Sequence, residues 1–217
     1  MKSEDVAGYL QEHPDFFEQY ADMLAEIYIP HPHGGRAIPI SERQILTLRD
    51  KSKQLENKLR EIIQFGEEND AIGEKMHRVA LALLGARDIQ AALHAVSFNL
   101  REDFAIPHVV LRLWRGTAHA GLPEFAPVSD ATREFAASLA QPYCSSRAMV
   151  DTAGLFGEAA PHLRSFAYIA LRDGEAFGLL ALASEDPQRF YPEMGTVFLK
   201  RLGEMAAAAL AGHLAEG

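Results

Sequence analysis

The chain has a single cysteine, Cys144. One thiol closes no internal disulfide and builds no multi-thiolate metal centre, and it fits a reducing compartment. Long apolar runs are missing as well: none approaches the ~18 residues that cross a bilayer. The opening Met-Lys-Ser-Glu-Asp has neither the basic nor the apolar region of a secretory signal. A cytoplasmic protein without a membrane span is therefore expected. No segment is basic either. The net charge of −9 divides into −5 over residues 1–40, −1 over 41–75 and −3 over 76–217. Counterion release from phosphates needs a positive face, so direct nucleic-acid binding and adhesion to an anionic membrane are disfavoured.

Catalytic patterns are also lacking. There is no G-x-S-x-G, H-E-x-x-H or H-x-x-x-H spacing, and Gly34-Gly35 lacks the lysine and preceding strand of a phosphate loop. Glu67 and Glu68 adjoin on a helix, where successive side chains diverge by about 100° and cannot share a proton. His31 and His33 lie two apart in a loop, with His13 near in sequence, but no further donor stands at ligand spacing. The expectation is a protein that is not an enzyme, with no metal and no cofactor.

What is present is a change of pattern along the chain. Val6, Tyr9 and Leu10 make a helical stripe behind Ser3 as N-cap; Pro14 opens a second helix with Phe16, Phe17 and Tyr20, followed by Met23, Leu24 and Ile27. Pro30-His31-Pro32-His33-Gly34-Gly35 is a loop. Ser41-Glu42-Arg43-Gln44 has the spacing of a capping box. Behind it Ile45, Leu48, Leu55, Leu59 and Ile62 keep heptad phase, with Ser52 interrupting and Asn69 at a later inner position. The seam either pairs between two copies or packs on its own domain, and the heptad phase favours the homodimer.

From residue 76 helices are expected over 76–84 and 88–104, the latter turning Leu93, Val96 and Leu100 to a core. A strand is expected over 107–115, a helix over 130–140 from an Asp130 cap, and a hairpin of 165–171 with 176–184 around Asp173-Gly174. A closing helix spans 193–214. The fold class is α+β: short helices over 1–40, a long amphipathic helix over 41–75, and a domain over 76–217 with a mainly antiparallel sheet and helices on one face.

Phe177-Gly178-Leu179-Leu180-Ala181-Leu182-Ala183-Ser184, then Phe190-Tyr191-Pro192-Glu193 and an apolar helix, resemble the C-terminal half of a GAF domain. In the first half of the chain, His13-Pro14-Asp15-Phe16-Phe17, Pro30-His31, Gly34-Gly35, Arg43-Gln44, Leu48-Arg49 and Glu68-Asn69-Asp70 are similar to the bacterial domain-of-unknown-function family 484. The resemblance implies a helical head, a connecting helix and a GAF-like domain whose sheet covers a small-molecule pocket opposite its terminal helices. The asparagine-lysine signature of cyclic-nucleotide GAF domains is missing, and a single cysteine argues against the GAF-like reductases of methionine sulfoxide.

Alternation in the 107–115 strand sends Val109, Leu111 and Leu113 to the helices and turns Val110, Arg112 and Trp114 the other way. Arg112 beside Trp114 would grip an anionic or aromatic ligand. Phe166 and Tyr168 share a face of the hairpin, and Tyr143 with Cys144 would approach from the segment between. These seven residues are the candidate ligand site; the competing reading is that the aromatics fill an ordinary core. Cys144 is a bystander or, with Arg147 nearby, a redox or attachment site. The function expected is a regulatory or signalling protein with a GAF-like small-molecule-sensing or protein-docking domain, dimerised by its long helix. The alternative is an adaptor whose degenerate, ligand-free GAF fold leaves the work to an acidic head docking a protein partner through Phe16, Phe17 and Leu24.

Overall fold

A computed structural model describes residues 2–29, 38–116, 119, 121–193 and 195–214, the side chains of 24–26, 28–29 and 38–42 apart. The chain forms two compact units, Met1–Asn69 and Asp70–Gly217.

The first unit holds helices α1 (Ser3–Glu12), α2 (Asp15–Gln19) and α3 (Ala21–Glu26), a two-residue antiparallel pair of β1 (Tyr28–Ile29) with β2 (Ile38–Pro39), and the first thirty residues of α4 (Ile40–Leu84). Ser3 is not the N-cap of α1. That place is Lys2, whose backbone N–H donates to the Asp5 carboxylate at 2.8 Å, because an acid at the third helical position can reach back to the free amide. Phe16 and Tyr20 stack with centroids 4.7 Å apart. None of this unit's described side chains is buried. The loop with His31, His33, Gly34 and Gly35 lies outside the described residues.

In the second unit four antiparallel strands run in the order β3 (His108–Leu113), β6 (Glu175–Ser184), β5 (Ser165–Asp173), β4 (Tyr143–Ser145). Gly174 makes the β5–β6 turn at φ +73°, in the left-handed region that the Asp-Gly pair announces. One sheet face is covered by the long helices: the end of α4 through Met76, Val79 and Leu83, α5 (Ile89–Glu102) through Leu93, Val96 and Leu100, and α8 (Val197–Leu214) through Leu202, Ala206 and Leu210. These meet Val109, Leu111, Leu180, Leu182 and Ile169 from the strands. The other face carries the shorter α6 (Asp130–Ser138) and α7 (Thr152–Phe156).

Caps fix where the helices start. The Asp88 carboxylate accepts the Ala91 N–H at 2.8 Å ahead of α5, and Asp151 accepts the Gly154 N–H at 3.1 Å ahead of α7. The cap of α6 is Ser129, one residue before the expected Asp130: its hydroxyl accepts the Thr132 N–H at 3.2 Å. At the other end of α6 the Arg172 guanidinium donates to the carbonyls of Ala136 (3.0 Å), Ala137 and Leu139 (2.9 Å). A β5 residue thus caps the carbonyl end of α6, where Ala136 also accepts the Leu139 N–H at 3.3 Å. Arg172→Ala is expected to lower stability by about 2 kcal/mol, read as a lower urea midpoint at unchanged slope. An unchanged midpoint would mean that water replaces the guanidinium at no cost.

Candidate functional site

Cross-strand register decides which predicted site residues meet, because directly opposed residues of antiparallel strands share a face. One row crosses the whole sheet: Tyr143, Tyr168, Ala181 and Val110. The neighbouring rows place Phe166 opposite Ala183, and Arg112 opposite Leu179. Trp114 follows Arg112 at the strand end, where its indole N–H donates to the Ala176 carbonyl at 2.9 Å. Six of the seven candidates therefore share the face opposite the long helices. Cys144 does not. It opposes Ala167 in the row that continues through Leu182 and Val109, all in the helix-packed core. Adjacent residues of a strand point to opposite faces, so Tyr143 and Cys144 cannot line one cleft.

The shared face is filled by side chains. Phe135 of α6 meets the Tyr168 ring edge-on at 5.3 Å, Phe166 and Tyr168 stack at 6.1 Å, and Phe156 of α7 lies 6.4 Å from Phe166. The Tyr168 hydroxyl accepts the Met149 N–H at 3.2 Å, and burial raises its pKa against that bond. Ala136, Leu139 and Leu163 close the layer. Where this face reaches Ser129, Thr132 and Asp151, the cavity that Arg112 lines with them holds about 60 Å³. That is well below the roughly 300–1,000 Å³ of small-molecule sites.

Cys144 is buried, and burial pushes its thiol pKa up. The thiolate is the reactive form, so the folded protein is expected to react with Ellman's reagent on the order of a hundredfold more slowly than the protein in denaturant. Comparable rates would return Cys144 to the list of redox candidates.

Arg112 is half-buried. Burial lowers its pKa while Glu124 opposes the shift, and an arginine keeps its proton at any physiological pH. Among the described residues it has no carboxylate within ion-pair distance. Its only hydrogen-bond acceptor there is the Leu111 carbonyl, at 3.0 Å.

On α4 the predicted seam faces solvent. Ile45, Leu48, Leu55, Leu59 and Ile62 are 49–66% exposed, and Asn69 is exposed too. Ile63 and Phe65, 53% and 61% exposed, flank the seam and widen it. Their signal was in the sequence: in the same heptad they occupy the positions on either side of the inner pair, where charged residues are the norm. From Ile45 to Ile62 the stripe is about 26 Å long.

Among the described residues no group of three or more His, Cys, Asp or Glu side chains is arranged to hold a metal ion. None of the helices described is long and apolar enough to cross a membrane. A family model, "Protein of unknown function, DUF484", matches residues 1–213. No curated protein matches the sequence.

Proposed function

Since the chain belongs to the DUF484 family, described as of unknown function, we propose from its own geometry that it is a non-enzymatic regulatory protein, dimerised through α4, whose α+β unit senses a small molecule. The observation that carries this is the exposed apolar seam from Ile45 to Ile62. A Leu or Ile that loses most of its remaining exposure contributes about 1–2 kcal/mol. Five such side chains from each of two copies set roughly 10–20 kcal/mol against an association cost of about 4–15 kcal/mol. A second copy offers a matching seam in register, which an unrelated surface would not.

The same helix supports a route for a signal. Met76, Val79 and Leu83 of α4 lie in the core of the α+β unit, while the seam occupies the helix further toward its N-terminus. A ligand that favours one packing of that core would bias one of two arrangements of the paired helices. The GAF-like pattern of Gly178 and Phe190 favours sensing as the task of this unit.

A second reading, the adaptor, draws on a different observation. Helices α1 and α2 have no buried residue, and Phe17 and Tyr20 are 42% and 49% exposed. Such a surface suits docking of a protein partner. Sedimentation equilibrium of the full chain at micromolar concentration tests the leading reading: a dimer is expected, and a monomer at every concentration would sink it.

A further inference from the structure

We propose that the open edge of β3 is a binding site for a small organic anion, a carboxylate or phosphate monoester carrying a compact apolar group. The inference gives the sensing reading above its ligand class, but it does not require a dimer.

Among the described residues strand β3 pairs only with β6. The Trp114 N–H bonds the Phe177 carbonyl at 3.0 Å. By the alternation of antiparallel ladders, the N–H and C=O groups of Val110 and Arg112 then turn to β6, and those of Val109, Leu111 and Leu113 turn outward. An open edge of this kind is normally covered or blocked. Here two guanidiniums meet it: Arg101 of α5 donates to the Val109 carbonyl at 3.3 Å, and Arg112 to the Leu111 carbonyl at 3.0 Å. Neither has a carboxylate in ion-pair contact among the described residues.

Along this edge runs a cleft of about 500 Å³ between α5 and the 3-10 turn at Pro123–Phe125, within the usual range of ligand sites. Its polar lining includes Arg101, Arg112, His94 and Ser97; among the described residues Glu124 is its one acid, and Leu93 and Leu122 supply apolar wall. In a chain of net charge −9, a cleft with two arginines and one carboxylate runs against the overall field. Each arginine uses one N–H on the strand and keeps others free for a planar anion. The outward amides of Val109 and Leu111 add neutral donors between them. Small size and apolar walls select a compact organic anion over a nucleic-acid backbone. A pairing peptide strand is disfavoured, because it would have to displace both guanidiniums from the carbonyls it needs.

Calorimetric titration of the full-length chain with benzoate, phenyl phosphate, inorganic phosphate and benzyl alcohol tests this, with amide chemical shifts followed in parallel. Benzoate and phenyl phosphate are expected to bind at least about tenfold more tightly than neutral benzyl alcohol, since a charge-assisted pair is worth that factor or more. Inorganic phosphate should be weaker than phenyl phosphate, and the shifts should centre on residues 109–113. Arg101 is exposed, so Arg101→Gln is expected to fold normally and lose several-fold in affinity; Arg101→Gln with Arg112→Gln should lose at least about tenfold. Absence of binding, equal affinity for benzyl alcohol, undiminished affinity of the Arg101→Gln chain, or shifts centred elsewhere would each overturn the proposal. Sedimentation of the same samples separates the two ideas: a monomer that binds benzoate supports the site while refuting the dimer.

Discussion

A chain carrying Leu55→Asp together with Leu59→Asp is expected to sediment as a monomer at concentrations where the parent is a dimer. The two leucines are 66% and 58% exposed within one copy, so their replacement removes little from the fold of that copy. In the dimer each substitution acts twice. Four leucine contributions of about 1–2 kcal/mol disappear, and four carboxylates enter one seam. The loss of roughly 4–8 kcal/mol corresponds to a dissociation constant raised by a factor of about 10³ or more. Leu81→Asp is the control. Leu81 is 56% exposed on the same helix but off the heptad seam, and that chain should remain dimeric. If the double variant stays dimeric, the seam is not the interface; if the control dissociates as well, α4 pairs along another face. The circular dichroism of the double variant should lose helix signal, because none of the described side chains among the first thirty residues of α4 is buried within its own copy to hold that stretch.

Gly178→Val is expected to destabilise the α+β unit by about 3 kcal/mol. A strand position ordinarily gains from valine over glycine, on a propensity scale spanning about 1 kcal/mol, so propensity and packing predict opposite signs. Packing should win. A Cβ at Gly178 would stand 2.6 Å from the Leu113 Cδ2 and 2.9 Å from the Arg112 carbonyl oxygen. The leucine methyl can turn away, but the carbonyl belongs to the paired backbone of β3 and cannot move without opening the ladder. The check is a denaturant midpoint for the full chain; a stabilised Gly178→Val chain would show that β3 shifts freely and that the edge cleft is not a rigid site.

Much of this architecture was legible in the residues themselves. Asp173-Gly174 between two apolar runs announced the hairpin, since only the turn can use a left-handed glycine there. The alternation of Val109, Leu111 and Leu113 announced which face of β3 is buried. Leu93, Val96 and Leu100 announced the inner face of α5. Local spacing carries such information because a helix or strand repeats its geometry every few residues. The site was less legible. Tyr143 and Cys144 are neighbours in sequence and, once the segment is a strand, belong to opposite faces; which of them joins Tyr168 is set by the register of a three-residue strand against β5.

The sequence by itself determined the α+β class, the long helix with its apolar heptads, the hairpin, and a charge distribution unsuited to gripping phosphate chains. Only the tertiary structure decided that α6 and α7 fill the face of Phe166 and Tyr168, that β3 is an edge strand, and that Arg101 and Arg112 line one cleft. The physical reason is the range of the forces. Periodicity fixes which side of an element is apolar, but strand order and the course of a long connection depend on which distant surfaces bury one another best, and no short pattern records that choice.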